Sequence, residues 1–382
     1  MKGILRTFDV HYGERLPGYP RLKRAVNAAL VAPEAIAVRR RYPTPRLVLG
    51  YFGGIGDEVL LTVVTRELRR RGYDGTWVMS EHPDVWRHNP DPDVVLPWGK
   101  RHYRWTELFR WNVVFPYYTH YLSWGARDAS PAKHILTLMC ERTGIVGPIA
   151  RKPHVVLTDD ERERGARVPD QIAIQSAGLD ARYSMLTKQW FPERFQAVVD
   201  ALKHEYNFVQ VGSRYDPPLD GALDLRGQTS IRETAGILSR SVAFVGQVSM
   251  LMHLARGVDC RSVIVYGGRE HPEQTGYACN ENLYTPVPCS PCWKLNTCGH
   301  EMACMRAIQP DDVVAAVRRQ AARYGQMLPV DVDVISARGV PTRRTPDGRT
   351  LLKIPDVMGQ PREIEGKFLD VNEEPPRAGI AA

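Results

Sequence analysis

Short apolar runs, each ending near a glycine and followed by an amphipathic segment, recur in two separate parts of the chain. In the first part, residues 46–52 (RLVLGYF) precede a glycine turn, and Leu60, Val64 and Leu68 then repeat at helical spacing. The second series has strand patterns, with helix patterns between them, at 171–175, 208–211, 242–245 and 261–266. Alternating strands and helices predict parallel sheets joined by right-handed crossovers. We therefore predict an α/β chain of two Rossmann-like domains that face each other across a cleft, with ligands at the carboxyl ends of the strands.

The predicted domain boundaries follow changes in composition along the chain. Residues 1–45 are basic, contain five prolines and are predicted to form an irregular N-terminal arm. Residues 46–160 are predicted to form the first Rossmann-like domain. Residues 161–328 are predicted to form the second, which includes a cysteine-rich loop at 288–306. Residues 329–382 are rich in proline, glycine and charge, and predict an extended C-terminal tail.

Composition and charge exclude several classes of protein. Hydrophobic residues make up 43% of the chain and charged residues 25%, which is usual for a globular protein. The longest uncharged stretch, Trp111–Ala126, is too short and too polar to cross a membrane, and Met1–Arg6 lacks the apolar segment of a secretory signal. We therefore expect a cytoplasmic protein. The net charge of +8 suits an anionic substrate, a nucleotide or an acidic membrane surface. The sequence lacks the dense basic stripe that is typical of nucleic-acid binding, so we do not predict that function.

Two glycine turns at predicted helix starts are candidate binding sites. At Gly53–Asp57 the glycines allow the backbone to approach a ligand closely, and the first N–H groups of the helix are free to bind it. Asp57 is either the cap of this helix or a general base at the mouth of the cleft. The second turn runs from Gly246 through Ser249 into a helix that contains His253, and such a start can bind a diphosphate.

Several further segments complete a pattern that is specific only as a whole. In chain order the segments are Gly54-Ile55-Gly56-Asp57, Lys188-Gln189-Trp190-Phe191-Pro192, Asp224-Leu225-Arg226-Gly227, Gly246–Ala255, Gly267-Gly268, Pro272-Glu273-Gln274-Thr275-Gly276, Pro288–Trp293 and Cys304-Met305-Arg306-Ala307-Ile308. In this order they resemble glycosyltransferase family 9, the ADP-heptose heptosyltransferases of lipopolysaccharide assembly. The resemblance covers about residues 46–325.

The resemblance implies a GT-B fold, with the acceptor on the N-terminal domain and a nucleotide sugar on the C-terminal domain. It also implies inversion at the anomeric carbon without a catalytic metal or other cofactor. Asp57 would be the base for the acceptor hydroxyl, and Lys188 would help the diphosphate to leave, unless it is a plain surface lysine. The donor-binding residues implied are Gly53, Gly54, Gly56, Gly246, Ser249, His253, Glu273, Thr275 and Gly276. The predicted reaction transfers a sugar to an acceptor hydroxyl, and the leading prediction for the donor is ADP-heptose, which supplies a heptose. The predicted acceptors are a glycan, a lipid-linked glycan, the lipopolysaccharide core and a protein.

Two residues depart from the family pattern. Where the family has an Asp that contacts the donor sugar and a Gly that lets the backbone approach the phosphates, this chain has Val248 and Met250. Val248 cannot accept a hydrogen bond from a sugar hydroxyl. Two alternatives therefore stay open, a GT-B transferase with another nucleotide sugar and a non-catalytic homologue that binds a nucleotide sugar or glycan. Peripheral contact with the inner membrane also stays open.

Residues 103–124 are dense in aromatic side chains and lie in the predicted acceptor domain. Aromatic rings stack on the faces of sugars, and tyrosines add hydroxyl groups. The stretch is therefore predicted either to contact an acceptor sugar or to pack in the core around a loop.

Four of the seven cysteines lie within sixteen residues, at Cys289, Cys292, Cys298 and Cys304. In a reducing compartment such a cluster indicates a metal site before it indicates disulfides. Four thiolates can hold a structural Zn²⁺ or Fe ion, and some protein-modifying members of the family carry iron bound by cysteines in such a loop. Free thiols and one local disulfide are the alternatives.

Overall fold

A computed structural model describes residues 19–51, 53–119, 121–122, 127–182, 184–336, 342–346, 350–355, 361–365 and 367–368. The N-terminal domain consists of α1 (Tyr19–Arg41), β1 (Leu47–Gly50), α2 (Ile55–Arg70), β2 (Thr76–Ser80), β3 (Val94–Pro97), α3 (Lys100–Phe109), β4 (Val113–Val114), β5 (Tyr121–Leu122), β6 (Arg127–Asp128), α4 (Ile135–Arg142) and β7 (Ile145–Ala150). Four of these strands form a parallel sheet with the order β3-β2-β1-β4. α2 follows the glycine turn as predicted, and Leu60, Val64 and Leu68 are buried along one face.

Residues 19–41 form the helix α1, so the prediction of an irregular arm over residues 1–45 is wrong for this part of the chain. Val31 and Ala35, one helical turn apart, are buried in a cluster that also contains Trp77 of β2 and Trp105 of α3. Pro33 lies inside the helix, where a proline usually costs about 3 kcal/mol. Burial of this face against two tryptophans offsets that cost. Residues 1–18 lie outside the described residues.

The C-terminal domain contains a larger parallel sheet. Its elements are α5 (Asp159–Glu163), β8 (Gln171–Ile174), α6 (Pro192–Leu202), β9 (Asn207–Gln210), β10 (Ala222–Asp224), α7 (Ile231–Ser239), β11 (Ala243–Gln247), α8 (Met250–Gly257), β12 (Ser262–Gly267), α9 (Pro272–Thr275), β13 (Glu281–Tyr284), α10 (Ala303–Ala307) and α11 (Pro310–Ala321). The six strands have the order β10-β9-β8-β11-β12-β13 and are all parallel. The predicted α/β architecture with two parallel sheets is therefore confirmed.

Close packing and hydrogen bonds join the two domains. A Cβ atom on Gly56 of α2 would lie 3.3 Å from the Cα of Met250 in α8, so the starts of these two helices touch. Arg232 of α7 donates to the carbonyl oxygens of Asp84 and Arg87 and pairs with Glu161. One hydrophobic core runs through both domains.

The chain returns to the N-terminal domain after α11. β14 (Val332–Ile335) pairs antiparallel with one edge of β7. β18 (Lys367–Phe368) pairs parallel with the opposite edge of β7. Between them, β15 (Thr342–Arg344), β16 (Thr350–Pro355) and β17 (Pro361–Glu365) form an antiparallel sheet. The segment predicted as an extended tail therefore supplies strands, and its last residues, 369–382, lie outside the described part. Among the described helices, none is long and apolar enough to cross a bilayer.

Candidate active site

Each of the two parallel sheets has one point at which the strand order reverses, and both points face the same cleft. In the N-terminal sheet β1 lies between β2 and β4, and in the C-terminal sheet β8 lies between β9 and β11. Loops that leave the carboxyl ends of strands at such a point diverge and open a crevice. The cleft holds a cavity of about 710 Å³ lined by both domains, a volume typical of small-molecule sites.

Asp57 lies on the N-terminal side of this cavity, in the first turn of α2. Its Oδ2 accepts a hydrogen bond from the N–H of Gly54 at 2.8 Å, and its Oδ1 accepts one from the hydroxyl of Tyr118 at 2.9 Å. A Cβ atom on Gly53 would lie 2.1 Å from Oδ2, so only glycine fits beside the carboxylate. Gly54 is the N-cap of α2, and Asp57 closes the capping box from inside the helix. The residue therefore caps the helix and faces the cleft at once.

Burial raises the pKa of Asp57 to about 6. The hydrogen bonds from Tyr118 and Gly54 and the positive charge of Lys188 oppose this shift, because they stabilise the ionised carboxylate. A carboxyl group with this pKa is mostly ionised at pH 7 and can still take up a proton. It therefore has the acidity that a general base requires.

A cluster of buried charges faces Asp57 across the cleft. The Nζ of Lys188 lies 2.5 Å from Oε1 of Glu270, and Glu270 also pairs with the adjacent Arg269. Arg269 donates from Nη2 to Oδ2 of Asp128 at 2.7 Å, and its guanidinium lies 4.8 Å from the ring centroid of Trp293. Because Asp128 belongs to the N-terminal domain, this ion pair closes one wall of the cavity between the domains.

The charged groups in this cluster change one another's pKa. Burial alone would raise the pKa of Glu270, but Lys188 and Arg269 hold it at about 2. Burial lowers the pKa of Lys188, and Glu270 offsets part of this decrease. Burial also raises the pKa of Asp128, against the effect of Arg269. The cluster thus sets two basic side chains, Lys188 and Arg269, against two acidic ones, Glu270 and Asp128, close to the cavity.

The N-terminus of α8 points into the same cavity. Ser249 caps this helix by accepting from the N–H of Leu251 at 3.2 Å, and its Oγ donates to Oε1 of Gln175 at 3.0 Å. His253 bonds through Nδ1 to the hydroxyl of Tyr277 at 2.8 Å, and burial lowers its pKa to about 4. The imidazole is therefore neutral at pH 7. Separately, the first N–H groups of α8 face the cavity and can bind an anion.

Most of the residues predicted from the sequence line this cavity. They are Gly53, Gly54, Gly56, Asp57, Lys188, Ser249, His253 and Thr275. Val248 and Met250, the two departures from the family pattern, line it as well.

Three predicted donor-binding residues do not line the cavity. Gly246 is buried within β11, where a Cβ atom would lie 2.5 Å from Cζ of Phe244. Glu273 and Gly276 line a second cavity of about 670 Å³ instead. In the four-residue helix α9 the side chain of Glu273 points outward and is 90% exposed, and the carbonyl of Gly276 bonds to Nε2 of His134 at 3.0 Å. Only Thr275 of this segment faces the main cavity.

The residues that bond to Asp57 or surround Lys188 were not predicted individually from the sequence: Tyr118, Asp128, Arg269 and Glu270. Tyr118 lies in the aromatic stretch 103–124, which was predicted to contact an acceptor or to pack in the core. Arg269 and Glu270 follow the buried strand β12 after one further glycine, and polar residues at such a position indicate a site at the edge of a sheet. Asp128 carries no comparable signal.

The four clustered cysteines do not form a metal site in this structure. All seven cysteines are free thiols, and among the described residues no group of three or more His, Cys, Asp and Glu side chains is arranged to hold a metal. Cys298 is exposed and its Sγ accepts from the N–H of Met302 at 3.4 Å. The loop is held instead by backbone hydrogen bonds and by Trp293. The backbone N–H of Trp293 donates to the carbonyl of Arg269 at 3.0 Å, and its ring is buried. As arranged here, the thiols do not fit a tetrahedral Zn²⁺ or Fe site.

No protein-family model and no curated protein matches this sequence. Solved structures do match its fold. A glycosyl transferase of family 9 from Veillonella parvula has a TM-score of 0.53 and 14% identity, over 73% of this chain and 98% of that one. The ADP-heptose lipopolysaccharide heptosyltransferase II of E. coli has a TM-score of 0.54 and 13% identity, over 73% and 99%. TibC, an iron-containing dodecameric glycosyltransferase of enterotoxigenic E. coli, has a TM-score of 0.54 and 15% identity, over 73% and 79%. The likeness confirms the GT-B fold.

Proposed function

We propose that this chain is an inverting glycosyltransferase of family 9 type, which moves a sugar from a nucleoside diphosphate to an acceptor hydroxyl. One observation carries the proposal. A carboxyl group with a pKa of about 6, Asp57, faces a largely buried lysine, Lys188, and the start of a helix across an interdomain cleft of about 710 Å³. A base on one side and positive charge on the other are what displacement of a diphosphate at an anomeric carbon requires.

In the proposed reaction, Asp57 takes the proton of the acceptor hydroxyl as the hydroxyl oxygen attacks the anomeric carbon. The bond between this carbon and the diphosphate oxygen breaks on the opposite face, which inverts the configuration. Lys188 and the first N–H groups of α8 stabilise the negative charge that develops on the departing diphosphate. A positioned base of this kind contributes on the order of 10²–10⁴ to the rate.

The proposed donor is ADP-heptose or another nucleotide sugar. TibC was solved in complex with ADP-D-β-D-heptose, and a second neighbour of this fold is named for ADP-heptose. Val248 and Met250 make part of the cavity apolar, which favours a donor sugar with fewer hydroxyls on that side. We propose that catalysis needs no cofactor. The proposed acceptor is a glycan, a lipid-linked glycan or a protein. The proposed location is the cytoplasm, including the surface of the inner membrane.

A ligand screen followed by a transfer assay tests the function. Thermal shifts across nucleoside diphosphates and nucleotide sugars should identify the donor, because a ligand that binds only the folded protein raises its melting temperature. With that donor, mass spectrometry should detect glycosylated acceptor, and Asp57→Asn should lose transfer while still binding the nucleotide. Donor binding without transfer to any acceptor class would favour the non-catalytic homologue. A rate for Asp57→Asn within about threefold of the parent would reduce Asp57 to a helix cap.

A further inference from the structure

We propose that Glu270 is a positioning residue of the donor site, which fixes the ammonium group of Lys188 in the cleft as the counter-charge for the diphosphate. This inference rests on the proposed function and adds a residue that the reaction scheme does not use. Glu270 is suited to this role because its carboxylate is buried and forms an ion pair with the ammonium group of Lys188.

The contacts of Glu270 account for its burial. Its side chain is only 4% exposed, and Oε1 lies 2.5 Å from Nζ of Lys188. Arg269 pairs with the same carboxylate. A lysine side chain has four rotatable bonds, so a free ammonium group samples many positions. The carboxylate removes this freedom and places Nζ beside the cavity.

The charged groups around Lys188 come from several elements. Glu270 and Arg269 follow β12, Asp57 begins α2, Asp128 ends β6, and His253 lies in α8. Burial and Arg269 lower the pKa of Lys188, whereas Glu270 and Asp57 raise it. Glu270 therefore has two opposite effects on a bound diphosphate. It keeps Lys188 protonated, and its own negative charge repels the phosphates.

These two effects dominate at different pH, which gives a signature that a merely structural residue would not produce. In Glu270→Gln the amide oxygen can still accept from Nζ and hold it in place, but the repulsion is gone, so nucleotide binding at pH 6 should be several-fold tighter than in the parent. The pKa of Lys188 should also fall, so binding should weaken by up to about tenfold per pH unit above that lower value. The plots of affinity against pH for the parent and the variant should therefore cross.

The experiment is calorimetric titration of the full chain with ADP and with UDP between pH 6 and pH 9.5. Glu281→Gln is the matched control, because Glu281 pairs with Arg319 in the same domain but does not line the cavity. Crossing plots for Glu270→Gln and an unchanged plot for Glu281→Gln support the proposal. A Glu270→Gln plot that runs parallel to the parent, or that is uniformly weaker, overturns it. Failure of the parent to bind any nucleoside diphosphate of the thermal-shift screen contradicts the proposed function itself.

A second pair of variants covers the case in which Glu270→Gln does not fold, since this change leaves the largely buried ammonium of Lys188 without its carboxylate partner. Lys188→Met and the double variant Lys188→Met/Glu270→Gln carry no such orphan lysine. Without the lysine, only the repulsion remains, so the added Glu270→Gln change should tighten ADP binding by the same factor at every pH. An effect that still reverses between pH 6 and pH 9.5 would show that Glu270 does not act through Lys188.

Discussion

The hydroxyl of Tyr118 donates a hydrogen bond of 2.9 Å to Oδ1 of Asp57, across 61 residues of sequence. This bond joins the loop after β4 to the first turn of α2, where the strand order of the N-terminal sheet reverses. It stabilises the ionised carboxylate, whereas burial favours the protonated form. The pKa of Asp57 therefore reflects a balance that one hydroxyl group can change.

Replacing Tyr118 with phenylalanine should move the acid limb of the pH–rate profile to higher pH. The parent should lose kcat/KM as the pH falls through about 6, because Asp57 takes up a proton there. Without the hydroxyl the pKa of Asp57 rises, so the rate at pH 6 should fall by about threefold to tenfold and the rate at pH 8 should change less. Tyr117→Phe is the control, because Tyr117 packs on Tyr51 and does not line the cavity. An acid limb that stays in place in Tyr118→Phe contradicts the assignment.

Asp57→Asn should be more stable than the parent at pH 7. Burial raises the pKa of this carboxyl from 3.8 to about 6, so the folded chain binds the proton more tightly than the unfolded chain. Stability is therefore lost as the pH rises from about 4 to about 6, and an amide does not suffer this loss. Melting curves at pH 7 and pH 4 should show the advantage at pH 7 alone. Asp200→Asn, an exposed aspartate paired with Lys203, should show no gain at pH 7. Equal melting temperatures for Asp57→Asn and the parent at pH 7 would contradict the inference that burial destabilises the ionised carboxylate of Asp57.

The two glycines before α2 should respond differently to the same substitution. In Gly53→Ala the new Cβ atom would lie 2.1 Å from Oδ2 of Asp57, whereas in Gly54→Ala the same oxygen would lie 4.0 Å away. Gly53→Ala must displace the carboxylate, and a displacement of about 1 Å can cost on the order of 10²-fold in rate. Gly54→Ala should retain most of the activity. Steady-state rates of the two folded variants decide the point, and equal losses would mean that the carboxylate position is not what matters.

Thiol labelling should separate the cysteines of the 288–306 loop from the buried ones. Cys298 is exposed, and it should react with iodoacetamide first. Cys140 and Cys260 are buried, and burial raises the pKa of both thiols, so they should react only after unfolding. Mass spectrometry before and after denaturation gives the order. Protection of Cys298 that is lost on adding a chelator, together with Zn or Fe by elemental analysis, would show that the loop binds a metal in another arrangement.

Local patterns predicted the frame of this site. The apolar run 46–52 and the glycines after it predicted a strand, a turn and a helix, and these elements place Asp57 at a helix start. Ser230 and Glu233, three residues apart, form the capping box that begins α7. Spacing of this kind acts within a few residues, so the sequence alone expresses it. The five prolines of residues 1–45 misled for the same reason, because they describe the local backbone and not the tryptophans that α1 covers.

The sequence by itself determined the two parallel sheets, the glycine turn and the presence of a carboxylate beside it, since these follow from short-range periodicity and backbone freedom. Only the tertiary structure decided which charges meet in the cleft. Tyr118, Asp128, Lys188 and Glu270 come from separate loops of two domains, and no spacing in the chain relates them. It also decided that Thr275 faces the main cavity while Glu273 faces another. The direction of a side chain in a short loop depends on the packing of the elements around it, and that packing is a property of the whole fold.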